Sequence, residues 1–153
     1  HDLLRCAEVQ LELAELLETA MRLSGTRMGH ITRCAQGSDK LHIVVQRGLG
    51  IDFFERFEAM PADCEAAWCR AVRLKQRIVI PDIGSEPDHP GRTFQRLPYR
   101  GEFAVPLLVS EPQVEARGAL TTLFTHSHEP SRLEAANLDS IVREAADLIT
   151  RIP

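Results

Sequence analysis

Apolar residues at Cys6, Val9, Leu13, Leu16, Ala20 and Leu23 recur with heptad spacing and predict a long helix over 3–24. A second stripe, Leu4, Ala7, Leu11, Ala14, Leu17 and Met21, runs beside the first. One stripe is expected to pack on a sheet and the other to meet a partner helix. A single wide face packed on its own domain is the plainer alternative. Gly25 ends the helix, and the period then changes. Segments 27–34 and 41–47 read as strands around the turn Gln36-Gly37-Ser38-Asp39, which makes a hairpin. In its second strand Leu41, Ile43 and Val45 point one way and His42, Val44 and Gln46 the other. Phe53, Phe54 and Phe57 fall on a short helix over 51–60, and Asp63 is placed to cap the helix that follows.

Cys64, Ala67, Trp68, Ala71 and Leu74 form one apolar helical face, closed by the basic run from Arg73 to Arg77. Ile78-Val79-Ile80, stopped by Pro81, suits a short edge strand. Segment 85–100 is long and irregular, with prolines at 87, 90 and 98. Loops of that length in a small domain usually cover something, so it is expected to be a lid, with Phe94 and Leu97 anchoring a short helix inside it. Phe103, Val105, Leu107 and Val109 alternate in a strand over 102–109, and β structure resumes over 114–125. Ser131-x-x-Glu134 is a capping box opening a last helix through Ala135, Leu138, Val142, Ala145, Ile149 and Ile152.

The central order of helix, β-branched strand and turn-rich exit resembles the middle of a GAF domain, the small-molecule sensor module of bacterial signalling proteins. Cys64, Ala67, Ile78, Val79, Asp82 and Pro87 sit at matching positions, while Glu65 stands where that family usually has glycine. Gly48-Leu49, Gly118-Ala119-Leu120 and the approach to the last helix through Pro130-Ser131 resemble further landmarks. The resemblance implies an α+β fold: a central antiparallel sheet of five or six strands, the terminal helices packed on one face, and ligand-pocket helices and loops on the other. It also implies a regulatory domain of a sensor histidine kinase type of protein, without catalysis of its own, binding a small molecule or mediating dimerisation to control an output domain outside this chain. A ligand-free dimerisation spacer is the second reading, and it predicts an interior filled by its own side chains. A third is a reductase of free methionine sulfoxide; Cys64 matches its first cysteine, but segment 82–102 holds none of the others.

Composition narrows this picture. At 153 residues, 44% hydrophobic and 26% charged, the chain fits one domain over 1–153. It begins at His1 rather than methionine and reads as a piece of a longer polypeptide. A net charge of -4 with scattered basic residues argues against nucleic acid, and no apolar run approaches the ~20 residues of a membrane span. A cytoplasmic domain, homodimeric through its terminal helices, is expected. The cysteines at 6, 34, 64 and 69 match neither a zinc site nor a disulfide framework, and Cys64 and Cys69 would lie on different faces of one helix.

Candidate chemistry is sparse. No nucleophile elbow, P-loop or His-Glu-x-x-His occurs. His126 and His128 share a strand face but have no third metal ligand, and His30, His42 and His89 are isolated, so neither metal nor haem is expected and no cofactor is named. The ligand-pocket candidates are Cys64, Trp68, Phe94 and Tyr99 as walls and Asp82, His89 and Arg100 as polar contacts. For Trp68 core filling is the plainer role, and for Asp82 the capping of its own turn.

Overall fold

The computed structural model describes residues 2–93, 97–110 and 112–153. The hairpin forms as expected: β1 (Met28–Cys34) runs antiparallel to β2 (Lys40–Arg47). Its simple alternation breaks at one place. Ile31 pairs with Val45 and Thr32 with Ile43, so Val44 is a bulged extra residue. Leu41 and Ile43 therefore serve one core while Val44 and Val45 both turn to the other.

The first helix, α1 (Asp2–Ser24), ends where Gly25 takes φ +71 and Thr26 N–H reaches back to the Met21 carbonyl at 3.0 Å. After β2 come α2 (Ile51–Phe57) and the three-residue strand β3 (Ala59–Pro61), which occupies the end of the segment expected to be helical. The central helix α3 (Ala67–Leu74) starts three residues later than its apolar pattern suggests, and β4 (Ile78–Ile80) follows. Two 3-10 turns, Ile83–Ser85 and Pro90–Thr93, lie in the irregular segment, and Phe94 falls outside the described residues. The long strands β5 (Gly101–Val109) and β6 (Glu115–Phe124) pair with each other, and the last helical stretch divides at Leu138 into α4 (Arg132–Asn137) and α5 (Asp139–Ile149). Ser131 Oγ accepts the Glu134 N–H at 3.1 Å, one half of the expected capping box. Glu134 does not return the bond; its carboxylate receives His128 Nε2 at 3.0 Å.

The six strands form one antiparallel sheet in the order β3-β2-β1-β6-β5-β4. This is an α+β fold with a core on each face. On one side Ile31, Phe103, Val105, Leu107, Leu120 and Phe124 meet α1 and α5. On the other, Leu41, Ala104, Ala119 and Leu123 meet Phe53 and Phe57 of α2 and Trp68, Cys69 and Ala71 of α3. Short β3 and β4 close the two edges of the sheet, which limits edge-to-edge pairing.

The two stripes of α1 do not divide as expected between sheet and partner. Leu13 of the first stripe and Leu17 of the second are both fully buried, because the helix lies in the angle between sheet and α5 and buries a wide face. The most exposed leucines lie in the amino-terminal half, Leu4 and Leu11, at 68% and 67%, with Leu23 near the other end at 45%. Leu13→Ala should therefore cost about 2–5 kcal/mol of unfolding free energy, whereas Leu11→Ala should stay within about 0.5 kcal/mol. Urea denaturation of both variants checks the assignment, and equal losses would contradict it.

Candidate functional site

At the second residue of β5, Glu102 points to the α3 face and is 1% exposed. A carboxylate taken out of water needs compensating hydrogen bonds. Glu102 Oε1 accepts the Ala67 N–H at 3.1 Å and meets His89 Nε2 at 2.8 Å. Ala67 is the first residue of α3, so a distant carboxylate supplies the cap that Asp63 was expected to give. The other ring nitrogen of His89 accepts the Gly91 N–H at 2.8 Å, so His89 carries its proton on Nε2 and donates it to Glu102. A Cβ on Gly91 would stand 2.9 Å from that nitrogen and 2.4 Å from the Leu97 side chain, which is why this approach needs glycine. Tyr99 faces the same carboxylate without closing hydrogen-bond geometry; burial first, then Glu102, holds its phenol well above the ordinary value.

Beneath α3, the His30 ring meets Trp68 edge-on at 4.6 Å and stacks near Phe53 at 6.1 Å. Phe53 in turn touches Phe57 and Tyr99. His30 is fully buried with neither ring nitrogen paired, and burial lowers its pKa to about 3. The Thr121 hydroxyl, directly across the β1–β6 ladder from His30, is also buried and unpaired, as are Trp68 Nε1, Tyr99 Oη and Glu102 Oε2. Native interiors leave few such atoms without partners. Here five residues on one side of the sheet share the feature.

Cys64 stands at the rim. Interaction with Cys69 first, and then the Ala66 N–H, favours its thiolate against burial and lowers its pKa to about 7. The same interaction, with burial, raises that of Cys69. These cysteines do not lie on different faces of one helix, because residues 64–66 precede α3.

Of the sequence candidates, Cys64, Trp68, His89 and Tyr99 come together around Glu102. Asp82 and Arg100 instead pair with each other at the mouth of the irregular segment. Asp82 Oδ1 also accepts the Gly84 N–H at 2.9 Å, and this bond, then Arg100, holds its carboxyl below the ordinary value. Phe94 lies outside the described residues. Glu102, His30 and Thr121 were missed. An acid beside the alternating run Phe103-Val105-Leu107 was the available signal, since a sheet covered on both faces buries the intervening positions as well.

Among the described residues no three histidine, cysteine or carboxylate side chains are grouped to hold a metal ion. His128 is occupied by Phe124, stacked at 3.8 Å, and by Glu134. No described helix is long and apolar enough to cross a membrane. The α3 face is filled by its own aromatic side chains, and open clefts occur elsewhere, such as one of about 410 Å³ between α5 and β5.

Because His30 stays neutral in the folded protein while an exposed histidine titrates near 6.5, the unfolded chain takes up a proton first as pH falls. Stability should decline below pH 6.5, with a slope approaching about 1.4 kcal/mol per pH unit from this one group. Denaturant midpoints between pH 7 and 5 should show that decline in the parent protein and a shallower one in His30→Leu. Parallel curves would contradict it.

No protein-family model matches the sequence, and no curated protein sequence matches it. Solved structures do. A type II free methionine-R-sulfoxide reductase from Thermoplasma acidophilum superposes with a TM-score of 0.77 at 15% identity, covering 97% of this chain and 96% of that one. The free methionine-R-sulfoxide reductase of Neisseria meningitidis, solved with its substrate, gives 0.71 at 17% identity over 94% and 79%. A GAF domain/HD domain protein from Geobacter sulfurreducens gives 0.72 at 23% identity over 96% and 93%. The expectation of a domain without catalysis is thereby corrected, since the same architecture is an enzyme in two of these structures. With its sheet order, its two cores and these neighbours, the chain has the GAF fold.

Proposed function

We propose that this chain is a regulatory GAF domain of a bacterial signalling protein and that it binds a small polar molecule between α3, residues 86–93 and the sheet. The observation that carries this reading is the set of unpaired buried polar atoms on His30, Trp68, Tyr99, Glu102 and Thr121. Each costs about 1–3 kcal/mol when left without a partner. A spacer with a permanently filled interior has no use for them, whereas a ligand bringing donors and acceptors would satisfy them. Entry requires residues 86–93 to move, and the described ties on the irregular segment are His89, at 2.8 Å from Glu102, Glu86, paired with Arg70 at 3.4 Å, and the Asp82–Arg100 pair. In this reading the ligand biases α1 and α5 across the sheet and so an output domain, such as a histidine kinase, outside this chain. The exposed leucines Leu4 and Leu11 join two copies of α1.

Thermal denaturation against amino acids, nucleotides, haem and bilins tests the binding. A ligand at about 100 times its Kd adds ~2.7 kcal/mol, a shift of several degrees, and Tyr99→Phe should reduce it while leaving the fold intact. If no compound shifts the transition and Thr121→Val simply stabilises the domain, the spacer reading wins. For the dimer, Leu4→Glu with Leu11→Glu should convert sedimentation from dimer to monomer; a parent protein that is monomeric at high micromolar concentration rules this out.

The Cys64–Cys69 contact favours a second reading, a thiol-dependent reductase of free methionine sulfoxide. Methionine formation from the R-sulfoxide with dithiothreitol as reductant, lost in Cys64→Ser, would support it. No methionine above the Cys64→Ser blank would end it.

A further inference from the structure

Two arginines stand where the ends of β1 and β6 meet the last turn of α5. Arg33 lies opposite Gly118 across the β1–β6 ladder, and Arg117 is the next residue along β6. Both line one cavity of about 230 Å³, walled otherwise by the turn after β1 and by Ile149, Thr150 and Ile152 at the end of α5. The volume is below the roughly 300–1,000 Å³ of sites that take drug-sized ligands, so an occupant must be small. None of the lining residues belongs to the interior set around Glu102.

The hydrogen bonding of the two guanidinium groups is incomplete. Arg117 Nη2 pairs with the half-buried Glu115 carboxylate at 3.0 Å, but Arg117 Nε is buried and has no partner. Buried donors rarely go without an acceptor. Arg33 pairs with no acidic side chain among the described residues; its Nη2 donates to the carbonyls of Ile152 and Pro153 at 3.0 and 3.2 Å. Those bonds hold the side chain in place and leave its positive charge without a carboxylate side chain beside it.

The end of α5 does not supply the missing acceptor. Its Asp147, Leu148 and Ile149 carbonyls already accept from Thr150 Oγ1 at 2.8 Å, the Arg151 N–H at 3.0 Å and the Ile152 N–H at 3.4 Å. With Arg33 on the next two carbonyls, donors cover the negative pole of the helix, which would otherwise repel an anion. Cys34, on the cavity wall, registers both arginines. Burial raises its pKa, Arg117 and then Arg33 oppose that rise, and Asp39 adds to it.

We propose that a small oxyanion, a phosphate or a carboxylate, binds in this cavity between Arg33 and Arg117. Arg117 donates through the Nε that now lacks a partner, and Arg33 adds charge and its remaining N–H groups. The same Arg33 holds the backbone beyond α5, so an anion drawing on it acts there, apart from any interior ligand.

Inorganic phosphate and succinate, each titrated into isotope-labelled protein at constant ionic strength with chloride as control, test the site by NMR. Amide signals of residues 33–36 and 117 should shift saturably, while those of His30, Trp68 and Tyr99 stay in place. Saturation by phosphate alone identifies a phosphate-bearing ligand, and by succinate alone a carboxylate. Arg117→Gln should weaken binding about tenfold or more, the loss of a charge-assisted hydrogen bond. Glu115→Gln removes the competing carboxylate and should tighten binding several-fold, a gain that a purely structural arginine would not give. The proposal is overturned if neither anion saturates, if chloride gives the same shifts, or if affinity is unchanged in both variants. Should Arg117→Gln fail to fold, the parent titration and Glu115→Gln decide.

Discussion

The buried carboxylate of Glu102 is the constraint on which one half of the molecule depends. A carboxyl side chain with no exposed surface is tolerated only where other groups replace water around it. Here those groups come from two other elements, the start of α3 through Ala67 and the irregular segment through His89, both drawn onto the strand that carries Glu102. The amino-terminal pole of α3 adds favourable partial charge at the same point. Glu102 thus sets where α3 begins, and the late start leaves residues 64–66 free to fold into the turn that carries Cys64.

The same anchor explains how an irregular segment stays in place over an aromatic core. It is tied at its entrance, where Ile83 N–H meets the Arg100 carbonyl at 2.8 Å, and at its middle, where His89 bridges Gly91 and Glu102. The Asp82–Arg100 pair adds a screened surface contact rather than a strong lock, because Arg100 remains largely exposed. Buried hydrogen bonds, more than surface charge, therefore hold this cover down.

Most of the architecture was legible because both kinds of period were strong: the heptads of α1, the alternation of β5 and the Ser131 cap of α4 each appear in the structure near their expected positions. Three features were not legible, for distinct reasons. The bulge at Val44 leaves no mark on composition, since valine serves either face of a strand. The start of α3 is fixed by Glu102, 35 positions away from Ala67, which local capping patterns cannot register. The two stripes of α1 looked like two interfaces because sequence periodicity counts apolar faces without saying whether one neighbour or two lie against them; sheet and α5 together cover both. As for the site, its aromatic and thiol members stood out by type, while His30 and Thr121 gained their meaning only from being opposite one another across a ladder.

Arg33, on the strand that carries His30, donates to the carbonyls of Ile152 and Pro153 at 3.0 and 3.2 Å. Three residues of extended chain separate the two side chains, about 10 Å. That strand is paired on both sides. β1 is in this sense a short strut: the buried imidazole and the backbone just beyond α5 are fixed to one piece of the sheet.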